Sequence, residues 1–309
     1  MLSPSLRILN FDDSLTKQKH LVERYCPEII DLTGIGPACR LWVNSKNTKK
    51  IKSVLLPESR QCPTFIGSGD FHHVSSLLIE QFREPVTVIV FDFHPDWDIL
   101  PPRLGCGSWV TRTLTQQNVK KVLLLGVSSG DISRISIHTG NVQALKNNRL
   151  ELYPYEHTPT TKVLRNVPEN ASLQARRRGL FTSIYWEELK NKNLSDFMLT
   201  TIKRLETRQV YVSIDKDCLR AEHALTNWEE GCFSLNELLR MLKLIKENLD
   251  IVGIDIAGDY SLPKPAGRLK SLCSRLDHPA VFSAKDKPES LICTTNEQTN
   301  IKLAEALKR

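Results

Sequence analysis

The sequence predicts an α/β protein of three layers, with helices covering both faces of a mainly parallel sheet. Apolar, β-rich runs alternate with amphipathic stretches along the 309 residues. Most of these runs are apolar at nearly every position, which indicates strands that are buried on both faces. No repeat or low-complexity tract breaks the alternation, and we expect residues 1–309 to form a single domain.

Eight apolar runs are the predicted strands. In chain order they cover residues 6–11, 64–66, 86–93, 121–127, 150–155, 181–186, 210–214 and 251–256. Helical patterns lie between and after them, at residues 72–82, 108–117, 193–206, 234–250 and 297–308. The fourth helix carries Ser234 with Glu237 three residues on, which is the pattern of a capping box. Residues 262–290 are rich in Pro, Lys and Ser, and we expect them to wrap the surface.

Composition narrows the classes of protein. The formal net charge is +7, but the basic residues are dispersed and lack the aromatic interleaving of nucleic-acid modules, so we expect no nucleic-acid partner. No apolar run approaches 18 residues and the N-terminus lacks signal-peptide character, so we expect no membrane partner. The eight cysteines form no CxxC pair, which favours reduced thiols and a cytoplasmic location.

The stretch VTVIVFDFHPDWDIL ends a buried strand in a group of metal-ligand types. Asp92, His94 and Asp96 follow one another at a spacing of two, and Asp98 continues that spacing. In an extended chain, side chains two residues apart point to the same side. These groups therefore belong either to a solvated strand edge or to a metal site.

Three further junctions present similar groups. A glycine turn carries Asp70, His72 and His73, a second apolar strand ends in Asp215 and Asp217, and a third ends in Asp255 and Asp259. Each alone could be a helix cap or a hydrogen-bonded side chain. Taken together, crowded carboxylates repel one another, and ligands in parallel α/β sheets bind at the carboxyl ends of strands. The pattern predicts a metal site there.

The motifs resemble those of the arginase and agmatinase (ureohydrolase) family. D-x-H-x-D is followed some 120 residues later by S-x-D-x-D, with a glycine turn ending in His upstream; the resemblance covers about residues 63–261. It implies an arginase–deacetylase-like fold around a sheet of about eight strands. It also implies two divalent metal ions at the strand ends, with Mn²⁺ as the expected metal.

The resemblance carries over to individual ligands. The ligands it implies are His72, Asp92, His94, Asp96, Asp215 and Asp217. The family's G-G-D-H pattern corresponds here to Gly69-Asp70-Phe71-His72-His73, which is out of register by one residue, so His73 is an alternative to His72. The four aspartates carry four negative charges, which two divalent cations would neutralise. Oxygen and imidazole ligands without thiolate suit manganese or iron, and geometry could admit zinc, cobalt or nickel.

The implied activity is hydrolysis of a non-peptide C–N bond in a small guanidino, amidine or amide compound. Two adjacent ions hold a bridging hydroxide that attacks the planar carbon. By resemblance Asp96 orients this nucleophile and passes a proton to the leaving amine.

Two departures from the family pattern bear on the substrate. Cys106 stands where the family has an active-site His, and Gly258 stands where it has a Glu that grips the guanidinium, with Asp259 one position on. We therefore expect neither a standard arginase nor a standard agmatinase. Cys106 is a catalytic candidate or a space-filling buried thiol. The remaining candidates for binding substrate are Ser108, Trp109, Asn227, Trp228 and Asp259.

Two other functions stay open at this point. A metal-dependent deacetylase-like amidohydrolase would use the tandem His72 and His73 beside a single metal. A non-catalytic ligand sensor could keep the fold and the metal. We expect a small-molecule substrate in either enzymatic case, and the chain could form a homo-oligomer.

Overall fold

A computed structural model describes residues 6–55, 62–101, 103–163, 169–278 and 287–308. Its centre is an eight-stranded sheet in which every neighbouring pair of strands is parallel. The predicted fold class is confirmed.

Thirteen strands are described, and they fall into three sheets. They are β1 Arg7–Asn10, β2 Glu28–Asp31, β3 Trp42–Val43, β4 Thr64–Gly67, β5 Val86–Phe91, β6 Leu104–Gly105, β7 Val119–Val127, β8 Leu150–Pro154, β9 Thr160–Val163, β10 Leu173–Arg178, β11 Phe181–Trp186, β12 Gln209–Asp215 and β13 Asp250–Ala257. The central sheet has the order β2-β1-β4-β13-β12-β5-β7-β8, and β10-β11-β9 and β3-β6 form two small sheets.

Ten α-helices are described. They are α1 Lys19–Tyr25, α2 Gly36–Cys39, α3 Ser45–Val54, α4 Val74–Ile79, α5 Trp109–Thr113, α6 Val142–Lys146, α7 Leu194–Lys203, α8 Leu235–Asn248, α9 Arg268–Asp277 and α10 Glu289–Leu307. No helix in the described ranges is long and apolar enough to cross a membrane.

Two hydrophobic cores lie on the two faces of the central sheet. Strand alternation separates them, because Val88 and Val90 of β5 point into one core and Ile89 and Phe91 into the other. The first core contains buried residues of α2 to α6, and the second contains those of α1, α7, α8 and α10. The buried strands of the central sheet thus lie between helices, and their carboxyl ends lie at one edge of the sheet.

Two strand assignments differ from the sequence prediction. Residues 181–186 do form a strand, but it pairs antiparallel with β9 and β10 outside the central sheet. The eighth central strand is instead β2, an edge strand with alternating burial that no apolar run marks.

Helix boundaries depend on the local capping groups. Ser234 and Glu237 form the predicted capping box of α8, with Glu237 accepting from the Ser234 backbone N–H at 2.7 Å. The last helix begins at Glu289, eight residues before the predicted start. The segment expected to wrap the surface contains helix α9, and its residues 279–286 lie outside the described residues.

Candidate metal centre

The six predicted ligands come from the ends of three strands of the central sheet. His72 follows β4 through a 3₁₀ turn at Gly69–Phe71, and Asp215 ends β12. Asp92, His94 and Asp96 follow β5. Strands β12 and β5 are neighbours, and β13 separates β12 from β4. The order of strands therefore brings residues far apart in sequence to one place, which we call the ligand cluster: His72, Asp92, His94, Asp96, Asp215 and Asp217.

One half of the ligand cluster is centred on His72. Its Nδ1 lies 3.1 Å from Asp92 Oδ2, 3.4 Å from Asp96 Oδ2 and 3.4 Å from Asp215 Oδ2. The other half is centred on His94, whose Nδ1 lies 2.9 Å from Asp217 Oδ2 and 3.9 Å from Asp92 Oδ1. Asp92 contributes to both halves, because its Oδ2 faces His72 and its Oδ1 faces His94. Two groups that each fit a cation thus share a bridging carboxylate.

The donor atoms fit two divalent cations. His72 Nδ1 and Asp92 Oδ2 are buried, yet neither forms a hydrogen bond with the described residues. Buried polar groups are rarely left without a partner. Four carboxylates and two imidazoles supply oxygen and nitrogen ligands of the kind that Mn²⁺ accepts, and four negative charges balance two dications.

The protonation equilibria of the cluster reflect the same crowding. Burial, together with Asp96 and Asp217, raises the pKa of Asp92 well above its ordinary value. Burial and Asp217 also raise the pKa of Asp215. Burial opposes the protonation of His72, but the carboxylates of Asp92 and Asp96 outweigh it and raise the pKa of this imidazole. Without cations, protons take over part of the neutralisation.

Of the two tandem histidines, His72 is the one in the cluster. Its Nε2 lies 2.8 Å from Ser213 Oγ, and Ser213 in turn donates to Asp255 Oδ1 at 2.7 Å. A donating Nε2–H leaves the Nδ1 lone pair free for a metal, an arrangement that commonly orients ligand imidazoles. His73 is fully buried elsewhere, and burial lowers its pKa to about 3.

A loop, and not strand alternation, makes the D-x-H-x-D ligands converge. Strand β5 ends at Phe91, two residues before the predicted end, and Asp96 has a left-handed backbone with φ of 44°. Asp92 Oδ1 accepts from the His94 N–H at 2.7 Å, which folds the loop back on itself. The expectation that a period of two aligns these side chains was therefore wrong.

Gly258 lies directly against the ligand cluster. Its φ is +90°, and a Cβ there would lie 2.4 Å from Asp215 Oδ1 and 2.6 Å from the Lys216 backbone nitrogen. No side chain can project from this position without displacing a ligand. The end of β13 therefore offers backbone alone where the family pattern has a carboxylate.

A cavity of about 220 Å³ adjoins the cluster, and we call it the cluster cavity. Five of the six ligands line it, all except His72. Its other lining residues are Gly69, Pro95, Trp97, Asp98, Cys106, Gly107, Asp131, Trp228 and Asp277.

The structure divides the predicted catalytic and substrate residues into two sets. Cys106 and Trp228 line the cluster cavity, and the Trp228 ring meets His94 edge to face at 5.3 Å. Trp109 is fully buried behind the ligands, where its Nε1 donates to Asp96 Oδ2 at 2.6 Å and its ring lies 4.7 Å from that of His72.

The other three predicted residues make their contacts away from the cavity. Ser108 donates to the Arg103 carbonyl at 2.7 Å. Asn227 donates to the Ser261 carbonyl at 2.7 Å. Asp259 is buried and pairs with Lys216 Nζ at 2.9 Å.

Sequence reasoning missed several residues around the cavity. Glu229 Oε2 lies 3.1 Å from His94 Nε2, and its position in the loop after the last ligands could have indicated it. His278 Nε2 lies 2.8 Å from Asp70 Oδ1, and the His278 ring packs edge to face on the Trp228 ring, with 4.5 Å between the ring centroids. Asp277 and His278 belong to a segment with no motif, so no local signal pointed to them.

The parallel α/β sheet thus carries candidate ligands for a pair of metal ions at its strand ends. Residues 163–258 match the family model described as the arginase family, a range that includes Asp215 and Asp217 but not the ligands from His72 to Asp96. The chain is therefore similar to the arginase family over part of its length, as the sequence motifs predicted.

Individual relatives are distant in sequence. An uncharacterized protein of Thermotoga maritima is 26% identical over 247 residues, covering 75% of this chain and 78% of that protein. Formimidoylglutamase from Bacillus subtilis is 13% identical, with a TM-score of 0.56 over 99% of this chain and 86% of that chain. Arginase from Bacillus subtilis is 12% identical, with a TM-score of 0.56 over 98% and 96%. Trypanosoma cruzi formiminoglutamase, solved with Mn²⁺, is 11% identical, with a TM-score of 0.55 over 99% of this chain and 94% of that chain. The solved structures share the fold with this chain.

Proposed function

We propose that the protein is a binuclear metal-dependent hydrolase that cleaves a non-peptide C–N bond of a small guanidino, amidine or amide compound. The observation that carries this proposal is the pair of ligand groups that share Asp92 beside a cavity. Two bound divalent ions, of which Mn²⁺ fits the ligands well, would supply Lewis acidity and lower the pKa of a water.

The protein's own residues supply positioning and proton transfer. Asp96 lines the cavity, and the Trp109 indole N–H holds its Oδ2. A carboxylate fixed in this way can orient a nucleophilic water and pass a proton to the leaving amine. Trp228 forms a flat wall beside His94, and Cys106 lines the cavity together with Asp96.

The substrate we propose is neither arginine nor agmatine. Gly258 offers no carboxylate for a guanidinium, and the Asp259 carboxylate is held by Lys216, Gln18 and Asn300. A one-residue shift at the end of β13 that brought Asp259 to the metal site would break its buried ion pair with Lys216. His73 is buried and belongs to neither ligand group, so the deacetylase-like alternative gains no support.

A panel assay tests the proposal. Manganese-loaded protein is incubated with guanidino, amidine, formimino and acetylamine compounds, and released ammonia, urea and primary amine are measured. We expect turnover of at least one compound other than arginine and agmatine, and loss of that turnover in Asp92→Asn. Robust urea release from arginine or agmatine would contradict the substrate assignment. Absence of metal-dependent turnover across the panel would contradict the hydrolase assignment.

A further inference from the structure

We propose that the hairpin of β10 and β11 attaches the protein to a membrane surface that carries anionic lipid headgroups. We call residues 173–186 the basic hairpin, because its first strand ends in Arg176, Arg177 and Arg178. The proposal does not depend on the metal centre. The expectation of no membrane partner followed from the lack of a spanning segment and of a signal peptide, and attachment to a membrane surface requires neither.

The first hydrophobic core holds the inner face of the basic hairpin. Leu173, Ile184 and Trp186 are buried in that core. Burial alternates along β11, so that Phe181 and Tyr185 point outward. The inner face therefore fixes the hairpin to the body of the protein, while the outer face and the turn lie at the surface.

The outer face and the turn combine arginine with exposed apolar side chains. Antiparallel pairing sets Arg178 opposite Phe181, with residues 179–180 as the turn between them. Leu180 is 64% exposed and Phe181 is 45% exposed, so the tip of the hairpin carries two large apolar side chains at the surface. Linear spacing does not show this arrangement, because pairing across the turn brings the arginines beside aromatic rings.

Described residues do not compensate the charge of the three hairpin arginines. All three are exposed, and none forms a salt bridge with a residue in the described ranges. Arg177 Nε donates to the Gly179 carbonyl at 3.2 Å, and the Arg176 guanidinium lies 5.0 Å from the centroid of the Tyr185 ring. These neutral partners orient the side chains and leave their positive charge available to an anion.

The order of these groups along the hairpin matches the layers of a membrane interface. Leu180 and Phe181 form the tip, and the arginines follow directly behind them on β10. An apolar tip that enters the boundary between headgroups and acyl chains gains from the burial of its surface. Arginine binds phosphate groups well, and each basic side chain near an anionic lipid surface strengthens attachment. Tyrosine, here Tyr185 on the outer face, is enriched at membrane interfaces.

A single-stranded nucleic acid fits this surface less well than a lipid headgroup layer. Sites for single strands stack successive bases on open aromatic faces. On the basic hairpin, the Arg176 guanidinium lies over the Tyr185 ring, and Leu180 at the tip has no ring for stacking. An exposed aliphatic side chain next to uncompensated arginines instead suits an apolar layer below anionic headgroups.

Cosedimentation with lipid vesicles tests the attachment. The full chain is mixed with sucrose-loaded vesicles of phosphatidylcholine, either alone or with about 30% phosphatidylserine as the anionic lipid. We expect the apparent dissociation constant to be roughly tenfold lower for the anionic vesicles, and binding to weaken as salt is added. Equal binding to both kinds of vesicle, or binding to neither, would overturn the proposal. Tighter binding to a single-stranded oligonucleotide than to anionic vesicles would also overturn it.

Charge-matched variants locate the contact. Arg176→Gln combined with Arg178→Gln should weaken binding to the anionic vesicles roughly tenfold. Lys49→Gln combined with Lys50→Gln is the control, because it removes the same charge from exposed positions of α3. The control should change binding by less than about twofold. An equal fall in both proteins would mean that net charge, and not the hairpin, attracts the lipid, and would reject the site.

A matched pair of leucine variants tests insertion of the tip. Leu180→Ser should weaken binding to the anionic vesicles roughly threefold to tenfold, because the tip then buries less apolar surface in the lipid. Leu269→Ser is the control, since Leu269 on α9 is equally exposed, at 64%. Both side chains are exposed, so both variants should melt at the wild-type temperature and keep the proposal testable if the arginine variant does not fold. Wild-type affinity in Leu180→Ser would overturn the proposal.

Discussion

At the scale of single residues, Gly258 brings the backbone into close contact with the ligand cluster. A Cβ at this position would lie 2.4 Å from Asp215 Oδ1, and its φ of +90° also disfavours a side chain. We expect Gly258→Ala to reduce bound manganese to less than half and to lower the melting temperature. Metal analysis and a melting curve measure both effects.

Gly267 provides the control for backbone strain. Its φ is +93°, but nothing lies within 4 Å of a Cβ built there. Gly267→Ala should therefore show only the backbone cost of an alanine at φ 93° and ψ 152°, a region nearly restricted to glycine, about 1–3 kcal/mol, with full metal content. Equal metal loss in both variants would mean that strain, and not contact with Asp215, explains Gly258.

Trp109 tests how a buried donor positions Asp96. Trp109→Phe removes the N–H that donates to Asp96 Oδ2 at 2.6 Å and keeps a ring beside His72. We expect manganese affinity to fall roughly tenfold, as for other groups that orient ligands. Trp186→Phe loses a comparable buried indole hydrogen bond, to Thr160, outside the cluster. It should leave the affinity unchanged, and an equal fall in both variants would refute the role of Trp109.

Sequence spacing indicated the ligand residues but not the residues that support them. Carboxylates spaced by two after apolar strands have few explanations other than a metal, so Asp92, Asp96, Asp215 and Asp217 were recognisable. The sequence marked Trp109 as a substrate-binding candidate, but its hydrogen bond to Asp96, like the position of Asp277 at the cavity, depends on how distant loops pack, and a single sequence carries no signal for such contacts. The function of the cavity residues stays a prediction.

At the scale of elements, buried strands were easier to predict than edge strands. Seven of the eight runs belong to the central sheet because helices cover both of their faces. Strand β2 lies at the edge, with alternating burial over four residues, and its pattern was too weak to stand out. Strand β11 has a strand-like sequence, but only tertiary packing decides which sheet it joins.

The capping box of α8 gives a prediction at this scale. Ser234→Ala removes the side-chain oxygen that accepts from the Glu237 N–H at 3.3 Å. We expect a loss of about 1 kcal/mol of stability, seen as a melting point about 2 °C lower, with metal content unchanged. Ser271→Ala, inside α9, is the control and should not destabilise. A Ser234 variant as stable as the wild type would show that the cap contributes nothing.

At the scale of the whole molecule, the folded chain carries a buried cluster of carboxylates whose mutual repulsion bound cations or protons relieve. Burial raises the carboxyl pKa values of Asp92 and Asp215 above the ordinary 3.8. Groups with a raised pKa contribute stability below their unfolded pKa and lose it as pH rises through the folded value. The metal-free protein should therefore lose this contribution as pH rises from about 4 toward neutrality.

Manganese should reverse that loss, because it replaces the protons on these ligands. We expect the rise in melting temperature caused by saturating Mn²⁺ to be small at pH 5 and to grow toward pH 8. Melting curves with Mn²⁺ and with chelator across this range measure the difference. A manganese effect that is constant with pH would contradict the assignment of these carboxylates as ligands.

The most direct test of the account is the number of metal ions that each chain holds. Purified protein is loaded with Mn²⁺, dialysed, and measured by elemental analysis beside Asp92→Asn, which removes the carboxylate facing both halves of the cluster. The account predicts close to two ions per chain in the wild type and at most one in the variant. No more than trace metal in the loaded wild type, or equal metal in both proteins, would contradict it.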